Sequence, residues 1–424
     1  MSKAAKDYVL AVQAPAHSLG DGRFATESAF AIHLKALQED LSDEFERLVL
    51  VAPEIPQSIY EKNPGAYGYV SEEHDNIVFV PAYKRETTRR RFWTKEIIPL
   101  WRRLGKVLES AAYLHTGLEE NIWIPYLALL NARAIFKRVP LTFVVDIDYR
   151  LMSFRFYKTG VWSKKNYIVN RLIHDPFKHI QLWLAVRTSN LVLLKSPTMV
   201  AEYGAGRPHV KDFLDAAHSA ADIVSDDSLD LRLSERNNRS RPLELIYFGR
   251  FVPYKGLDLV LGAVQNALSQ EANIRLTLVG NGECLDELKA SSAALGISHA
   301  VTFLPPVPYG PELFTLVDRA DVAIAAPKIE DTPRAALDAF ARGVPLVAFD
   351  IDYFRNLAEK SGGVALATWP SPASLAEQIV SLEQNRASIA QMARKSVAFA
   401  RANTQEIWLD RRREWTKEAY RNAS

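Results

Sequence analysis

Between residues 243 and 385 the chain alternates short apolar runs with segments of helical period, and few folds accommodate that rhythm. Apolar runs stand at 243–248, 274–279, 301–304, 322–326, 345–349 and 364–367. Helix-period segments fill the intervals at 257–268, 284–295, 311–320, 333–342, 353–360 and 372–383. Strands alternating with helices of about 10–15 residues, joined by short loops, build a parallel sheet covered on both faces. The expected architecture is a doubly wound α/β domain.

The first half keeps the same rhythm less cleanly, with strands expected at 8–12, 47–51, 77–80, 141–145 and 191–194 and helices at 27–38, 94–109 and 122–136. A chain of 424 residues is too long for one ordinary core, so two Rossmann-like domains facing a cleft are expected. Residues 226–242 are polar, poor in apolar side chains and closed by Pro242, which is linker chemistry. The expected division is a first domain over 1–225, a linker over 226–242 and a second domain over 243–400. The remainder, 401–424, carries Trp408, Trp415 and Tyr420 at amphipathic spacing; a helix packed on its own domain and one crossing back to the first both fit.

Charge and cysteine content exclude several classes. The formal net charge is +2, which argues against a dedicated nucleic-acid binder. A single cysteine, Cys284, forms no internal disulfide and suggests no structural zinc site. The amino terminus lacks a signal-peptide apolar region, and the longest apolar stretch, 122–130, is about half of a bilayer span. A cytoplasmic location is expected, with attachment at the inner face of a membrane left open.

In open α/β sheets ligands bind beyond the carboxyl ends of the strands, so the loops after each strand hold the candidates. After 243–248 the loop Gly-Arg-Phe-Val-Pro-Tyr-Lys-Gly offers Arg250 and Lys255, a planar fork and a point charge suited to a diphosphate or to plain surface solvation. After 274–279, Gly280-Asn281-Gly282 is a weak signal, since tight turns need glycine in any case. After 322–326 come Glu330, Asp331, Thr332, Pro333 and Arg334. Thr332 suits an N-cap and Pro333 a first helical position, and Gly343 then Pro345 suit the helix end. Such a helix start would present N–H groups to an anion, with the two carboxylates capping it or binding sugar hydroxyls.

The succession Gly-Arg-x4-Lys-Gly, Val-Gly-x-Gly, Val-x-Phe-Leu, Glu-x7-carboxylate and Gly-x-Pro-Val/Leu-Val resembles the donor domain of family-4 (group 1) retaining glycosyltransferases of the GT-B fold. The resemblance implies transfer of a sugar from a nucleotide-diphosphate sugar to a hydroxyl of a glycan or lipid-linked acceptor, as in polysaccharide biosynthesis. It implies no metal and no cofactor beyond the donor substrate. Carried onto this chain, Arg250 and Lys255 hold the diphosphate, Glu330 the sugar hydroxyls, and the backbone of Thr332, Pro333, Arg334 and Ala335 a phosphate. Asp338 holds the ribose, Gly282 belongs to the donor loop, and 303–308 lines the base.

Two departures stand out. The second carboxylate of the motif is Asp338, one methylene shorter than the family's Glu. Where many members carry a His after a first-domain strand, this chain reads Asp146-Ile147-Asp148. Either Asp146 takes that catalytic place or the chain is impaired. Asp-x-Asp is also the metal–nucleotide signature of the GT-A fold, which would move the nucleotide to the first domain. The glycine-rich loop of the family corresponds to Gly20 and Gly22, expected at the cleft, with Thr26 capping the next helix. His115 either lines the cleft or is a satisfied core residue.

Residues 84–103 interleave Lys and Arg with Phe92, Trp93 and Trp101. That pattern fits anionic lipid headgroups or a lipid-diphosphate acceptor, and equally a solvated helix face. Besides the transferase, two rivals stay open. One is another GT-B enzyme, such as a nucleotide-sugar epimerase or sugar phosphorylase; the other is a non-catalytic nucleotide-sugar-binding member.

Overall fold

A computed structural model describes residues 6–62, 64, 67–236, 238 and 240–423. Two sheets organise them. The first contains β1 (Asp7–Ala11), β2 (Ala16–Gly20), β3 (Arg23–Glu27), β4 (Arg47–Glu54), β5 (Tyr67–Ser71), β6 (Ile77–Lys84), β7 (Ala111–Gly117), β8 (Leu141–Val145), β9 (Leu191–Leu194) and β10 (Val210–Asp212). The second contains β11 (Leu243–Phe248), β12 (Ile274–Val279), β13 (Val301–Leu304), β14 (Val322–Ala325), β15 (Leu346–Phe349) and β16 (Val364–Ala367).

The second sheet is parallel throughout, in the order β13-β12-β11-β14-β15-β16. The order reverses between β11 and β14, and the crevice at such a reversal is where doubly wound folds bind ligands. Its central strands β11, β14 and β15 are short and almost wholly buried, which explains why they read as continuous apolar runs.

In the first sheet β10, β9, β8, β7, β1, β4 and β6 are parallel neighbours, and β2, β3 and β5 add an antiparallel margin. The helix Ile97–Ser110 lies on this sheet through Leu100, Leu104, Val107 and Leu108, a stripe of helical period. Between β8 and β9 the chain adds helices at Met152–Lys158, Lys164–Val169 and Asp175–Thr188. They carry many exposed apolar side chains, among them Phe154, Ile168 and Trp183, so no buried stripe announces them.

The stretch expected as a linker, 226–242, is in fact helical over Asp226–Arg236. Only Leu229 of that helix is buried, so hydropathy misses it. Ion pairs attach it to the second domain instead: Arg232 reaches Asp318 at 2.8 Å and Arg236 reaches Asp321 at 3.4 Å. Residues 237 and 239 of the expected linker lie outside the described residues. The terminal helix Gln405–Arg421 crosses back to the first domain. Its Lys417 pairs with Asp43 at 2.6 Å, and the Tyr420 ring centroid lies 4.8 Å from that of Phe45.

Candidate active site

The site begins at the reversal between β11 and β14. Beyond β11 the chain turns through Gly249 and Arg250 into a single 3-10 turn, Pro253–Lys255, before the helix Leu257–Ser269. Gly256 makes this possible. Its φ is +68°, and a Cβ there would fall 1.9 Å from the Ala326 carbonyl oxygen, so only glycine allows the loop to lie against the chain leaving β14. The Lys328 N–H donates to the Tyr254 carbonyl at 2.8 Å and fixes the two loops together. Arg250 and Lys255 are thereby set beside residues 331–335.

These loops wall a cavity of about 440 Å³ whose lining includes Arg250, Lys255, Thr332, Pro333 and Arg334, with Ile147, Lys195 and Asp215 facing from the first domain. Lys255 Nζ lies 2.6 Å from Asp331 Oδ2, whereas the exposed Arg250 donates, among the described residues, to the Tyr254 hydroxyl at 3.0 Å. Lys195 Nζ is 3.5 Å from Asp215 Oδ2, and Arg334 Nε approaches the same carboxylate at 4.0 Å from the second domain. Burial pushes the Asp215 carboxyl up, but the charges of Lys195, Arg334 and Arg412 outweigh it and hold the group below its usual range. Four cations therefore converge on one interdomain cavity, a suitable environment for a diphosphate.

Glu330 is buried and faces Arg155 of the first domain, while the Asp352 N–H donates to its Oε1 at 3.4 Å. Burial raises its pKa to about 7; Arg155 opposes the rise and Asp352 adds to it. Asp338 is also buried and accepts from the Tyr309 hydroxyl at 3.0 Å. Its pKa is raised to about 7 by burial, against the Tyr309 hydrogen bond and the Arg334 charge.

The helix expected to start at Thr332–Pro333 starts later, at Ala335, and ends at Ala341. Arg334 takes the cap position in αR conformation and no side chain caps it. Thr332 and Pro333 stay in the loop, and Gly343, at φ +67°, follows the helix end as expected. Gly282 does not line the cavity. A Cβ on it would lie 2.3 Å from the Phe251 carbonyl oxygen, so its role is close packing of the β12 loop on the β11 loop.

Further corrections concern the first domain. Gly20 and Gly22 form the turn of the β2–β3 hairpin, both at positive φ. The Glu72 N–H donates to the Gly22 carbonyl at 3.0 Å, Glu72 meets Arg47 at 3.5 Å, and Arg47 meets Asp7 at 2.9 Å. Asp7 opens β1, so this turn sits at the amino ends of the strands, away from the cleft. Thr26 lies in β3 and donates to the Pro15 carbonyl at 3.0 Å; the next helix has Glu27 at its cap position with no side-chain cap.

Asp146 is where expected, exposed at the end of β8 and, among the described residues, without an ion pair or hydrogen bond. It lines a second cavity, of about 560 Å³, bounded by β1, β7, β8 and the helices Ser28–Leu41 and Gln405–Arg421. Ile147 lines both cavities, so they adjoin at this loop. Asp148 is not a second open carboxylate. Arg150 Nε donates to its Oδ1 at 2.8 Å and the Ser196 hydroxyl to its Oδ2 at 3.3 Å. Among the described residues no cluster of three or more His, Cys, Asp or Glu is arranged to hold a metal.

His115 lies within β7 and lines the second cavity, bonded through Nδ1 to the Tyr8 hydroxyl at 2.7 Å. Burial, then the Arg412 and His33 charges, lower its pKa to about 3 and keep the ring neutral. In the segment 84–103, Trp93 and Trp101 are exposed, and cations stack on neighbouring aromatics. Arg133 lies 4.4 Å from the Trp101 ring centroid and Arg89 lies 4.1 Å from that of Trp123. Among the described residues no helix is long and apolar enough to cross a membrane.

Lys195 and Arg155 were not singled out by the sequence. Lys195 directly follows β9, so the strand-end rule would have found it; Arg155 lies inside a helix and carries no such signal.

Residues 232–399 match the family model of glycosyl transferases group 1. The D-inositol 3-phosphate glycosyltransferase of Nocardia farcinica is 29% identical over 212 residues, 48% of this chain and 46% of that one, so the match spans less than half of the relative's length. A crystal structure of Anabaena HepE in complex with UDP superposes with a TM-score of 0.63 at 16% identity, covering 98% of this chain and all of that one (100%). The glycosyltransferase WaaG superposes with a TM-score of 0.58 at 12% identity, over 98% and 99% of the two chains. The chain has the GT-B fold, and its residues 232–399 are similar to the group 1 glycosyl transferases.

Proposed function

We propose that the chain transfers a glycosyl group from a nucleotide-diphosphate sugar to a hydroxyl of a glycan or lipid-linked acceptor, with retention at the anomeric carbon. The observation that carries this reading is the convergence of Arg250, Lys255 and Arg334 with Lys195 on the cavity at the β11–β14 reversal, next to the buried Glu330. The departing diphosphate gains one further negative charge as the bond to the sugar breaks, and fixed guanidinium and ammonium groups stabilise that charge without reorganising. These cations take the place of a metal. Glu330 orients the sugar by accepting from its hydroxyls. Asp338 accepts from the ribose once Tyr309 swings aside.

The acceptor enters through the first-domain cavity and meets the sugar at Asp146 and Ile147, where the two cavities adjoin. A lipid-linked acceptor suits the cationic and aromatic face of 84–103, which anionic vesicles would retain in a flotation assay. That the HepE structure holds UDP supports a uridine donor as the first to test.

The deciding experiment is a thermal-shift panel of nucleotide sugars followed by turnover with EDTA present and proton NMR of the product's anomeric coupling. Turnover with retained configuration is expected. Epimerisation or phosphorolysis instead, or binding without turnover with any acceptor offered, would overturn the assignment.

A further inference from the structure

The carboxylate assigned to the donor sugar is held across the cleft by a residue of the other domain. Arg155 Nη1 forms an ion pair with Glu330 Oε1, and the two side chains are only 8% and 3% exposed. Arg155 comes from the short helix Met152–Lys158, which is tied to its own domain by Ser153, whose hydroxyl donates to Asp175 Oδ1 at 2.9 Å. The guanidinium also lies 5.2 Å from the ring centroid of Trp369, in the second domain. On the same helix Phe154 and Tyr157 are exposed, while Arg155 is buried against the other domain.

We propose that Arg155 is a positioning residue of the donor-sugar site, anchoring the Glu330 carboxylate so that the sugar-binding group is complete only when the two domains are together. This rests on the reading of Glu330 as the sugar-binding carboxylate. Burying two opposite charges costs several kcal/mol in desolvation and seldom adds net stability, so an ion pair this deep between two domains points to positioning rather than to strength. Guanidinium has five N–H donors in a rigid fork, so while its charge faces Glu330 its N–H groups remain suited to hydroxyls of a sugar seated beside the pair.

The groups facing Glu330 decide its charge. Arg155 favours the ionised form, while Asp352 on one side and Asp148 on the other disfavour it, as does burial. With its pKa near 7, the carboxylate depends on Arg155 to stay ionised and accepting at neutral pH. Loss of the arginine raises that value, because the Arg155 charge is what opposes burial there.

Two measurements test this on the full chain. In the absence of donor, carbon-13 carboxyl NMR follows the Glu330 titration, its signal assigned by its loss in Glu330→Gln. The midpoint in Arg155→Gln is expected to rise by about one unit or more, and an unchanged midpoint would overturn the proposal. With whichever of UDP-glucose, UDP-N-acetylglucosamine or GDP-mannose the wild type turns over, Arg155→Gln is expected to lower kcat/KM at least about tenfold. The acid limb of its pH profile should move to higher pH, and Arg155→Lys should restore the limb but only part of the rate. Full activity with an unmoved limb would overturn the role. If the wild type turns over none of the three, the transferase reading loses its support while the NMR midpoint still decides whether Arg155 controls Glu330. Should Arg155→Gln fail to fold, Arg155→Lys decides alone: charge kept and fork lost predicts an unchanged midpoint with a lower rate, and an undiminished rate refutes the proposal.

Discussion

Lys255 Nζ lies 2.6 Å from Asp331 Oδ2, so the lysine assigned to the donor diphosphate is already paired with a carboxylate. A diphosphate has to compete with Asp331 for that cation. Lys255→Ala is expected to cost about 1.5–3 kcal/mol in kcat/KM, the scale of a hydrogen bond to a charge, with little change in the melting temperature. Asp331→Asn frees the lysine and is expected to tighten binding of UDP several-fold in calorimetry. A Lys255→Ala enzyme with wild-type kcat/KM would remove Lys255 from the site.

Asp338 makes a pH-dependent contribution whose sign follows from its burial. The folded pKa, about 7, stands above the unfolded value near 3.8, so the fold favours the protonated acid. Its stabilising contribution is complete below about pH 4 and is lost as pH rises through 7. Glu330 adds a loss of the same sign. Between pH 5 and 8 the wild type is expected to lose more stability in urea titrations than Asp338→Asn does, by an amount on the order of a few kcal/mol. Parallel pH profiles for the two proteins would mean that Asp338 is ionised in the fold.

Legibility in the sequence followed the strand-end rule and stopped where that rule stops. The β11–β16 sheet was readable because its central strands are almost wholly buried and its loops are short, and Arg250, Lys255 and Glu330 fall in the loops that follow strands, whereas Asp338 lies inside the helix Ala335–Ala341 and was reached through the motif. The helix at Asp226–Arg236 was not readable, because ion pairs to Asp318 and Asp321 rather than an apolar stripe hold it down. Gly20 and Gly22 misled for a different reason. Glycines at positive φ serve a hairpin turn as well as a ligand loop, and only the contact with Glu72 and Arg47 shows which end of the sheet they occupy. Arg155 stands apart from all of these: its function comes from its partner on the other domain, and no local pattern encodes that.

The terminal helix is expected to be part of the first domain's stability. Tyr420 packs against Phe45 and, at 6.1 Å, against Tyr113, closing one edge of that domain's core. Tyr420→Ala is expected to destabilise unfolding in urea by about 1–3 kcal/mol, since part of an aromatic contact and its burial are lost. Removal of residues 405–424 should lower the melting temperature further and expose the wall formed by Leu409, Arg412 and Thr416 in the first-domain cavity. An unchanged midpoint for Tyr420→Ala would mean that the helix packs only on its own domain in solution.

Under the proposed function Asp146 is the first-domain group nearest the chemistry. It stands where the resemblance leads one to expect a His, it is exposed at the end of β8, and it lines the first-domain cavity next to Ile147, which that cavity shares with the interdomain one. A carboxylate repels a departing diphosphate, so it belongs beside the sugar rather than beside the phosphates. There it can stabilise the positive charge that develops on the ring as the bond to the diphosphate breaks. Its neighbour Asp148 cannot substitute, because Arg150 and Ser196 occupy both of its oxygens. Asp146→Asn preserves shape and fold while deleting the charge, and kcat is expected to fall at least about tenfold, equal to about 1.4 kcal/mol, with donor affinity little altered. Asp148→Asn, by contrast, should lower the melting temperature by breaking the Arg150 bridge. A fully active Asp146→Asn enzyme would reduce Asp146 to a strand-end residue and would leave the charge on the sugar to be met from the second domain alone.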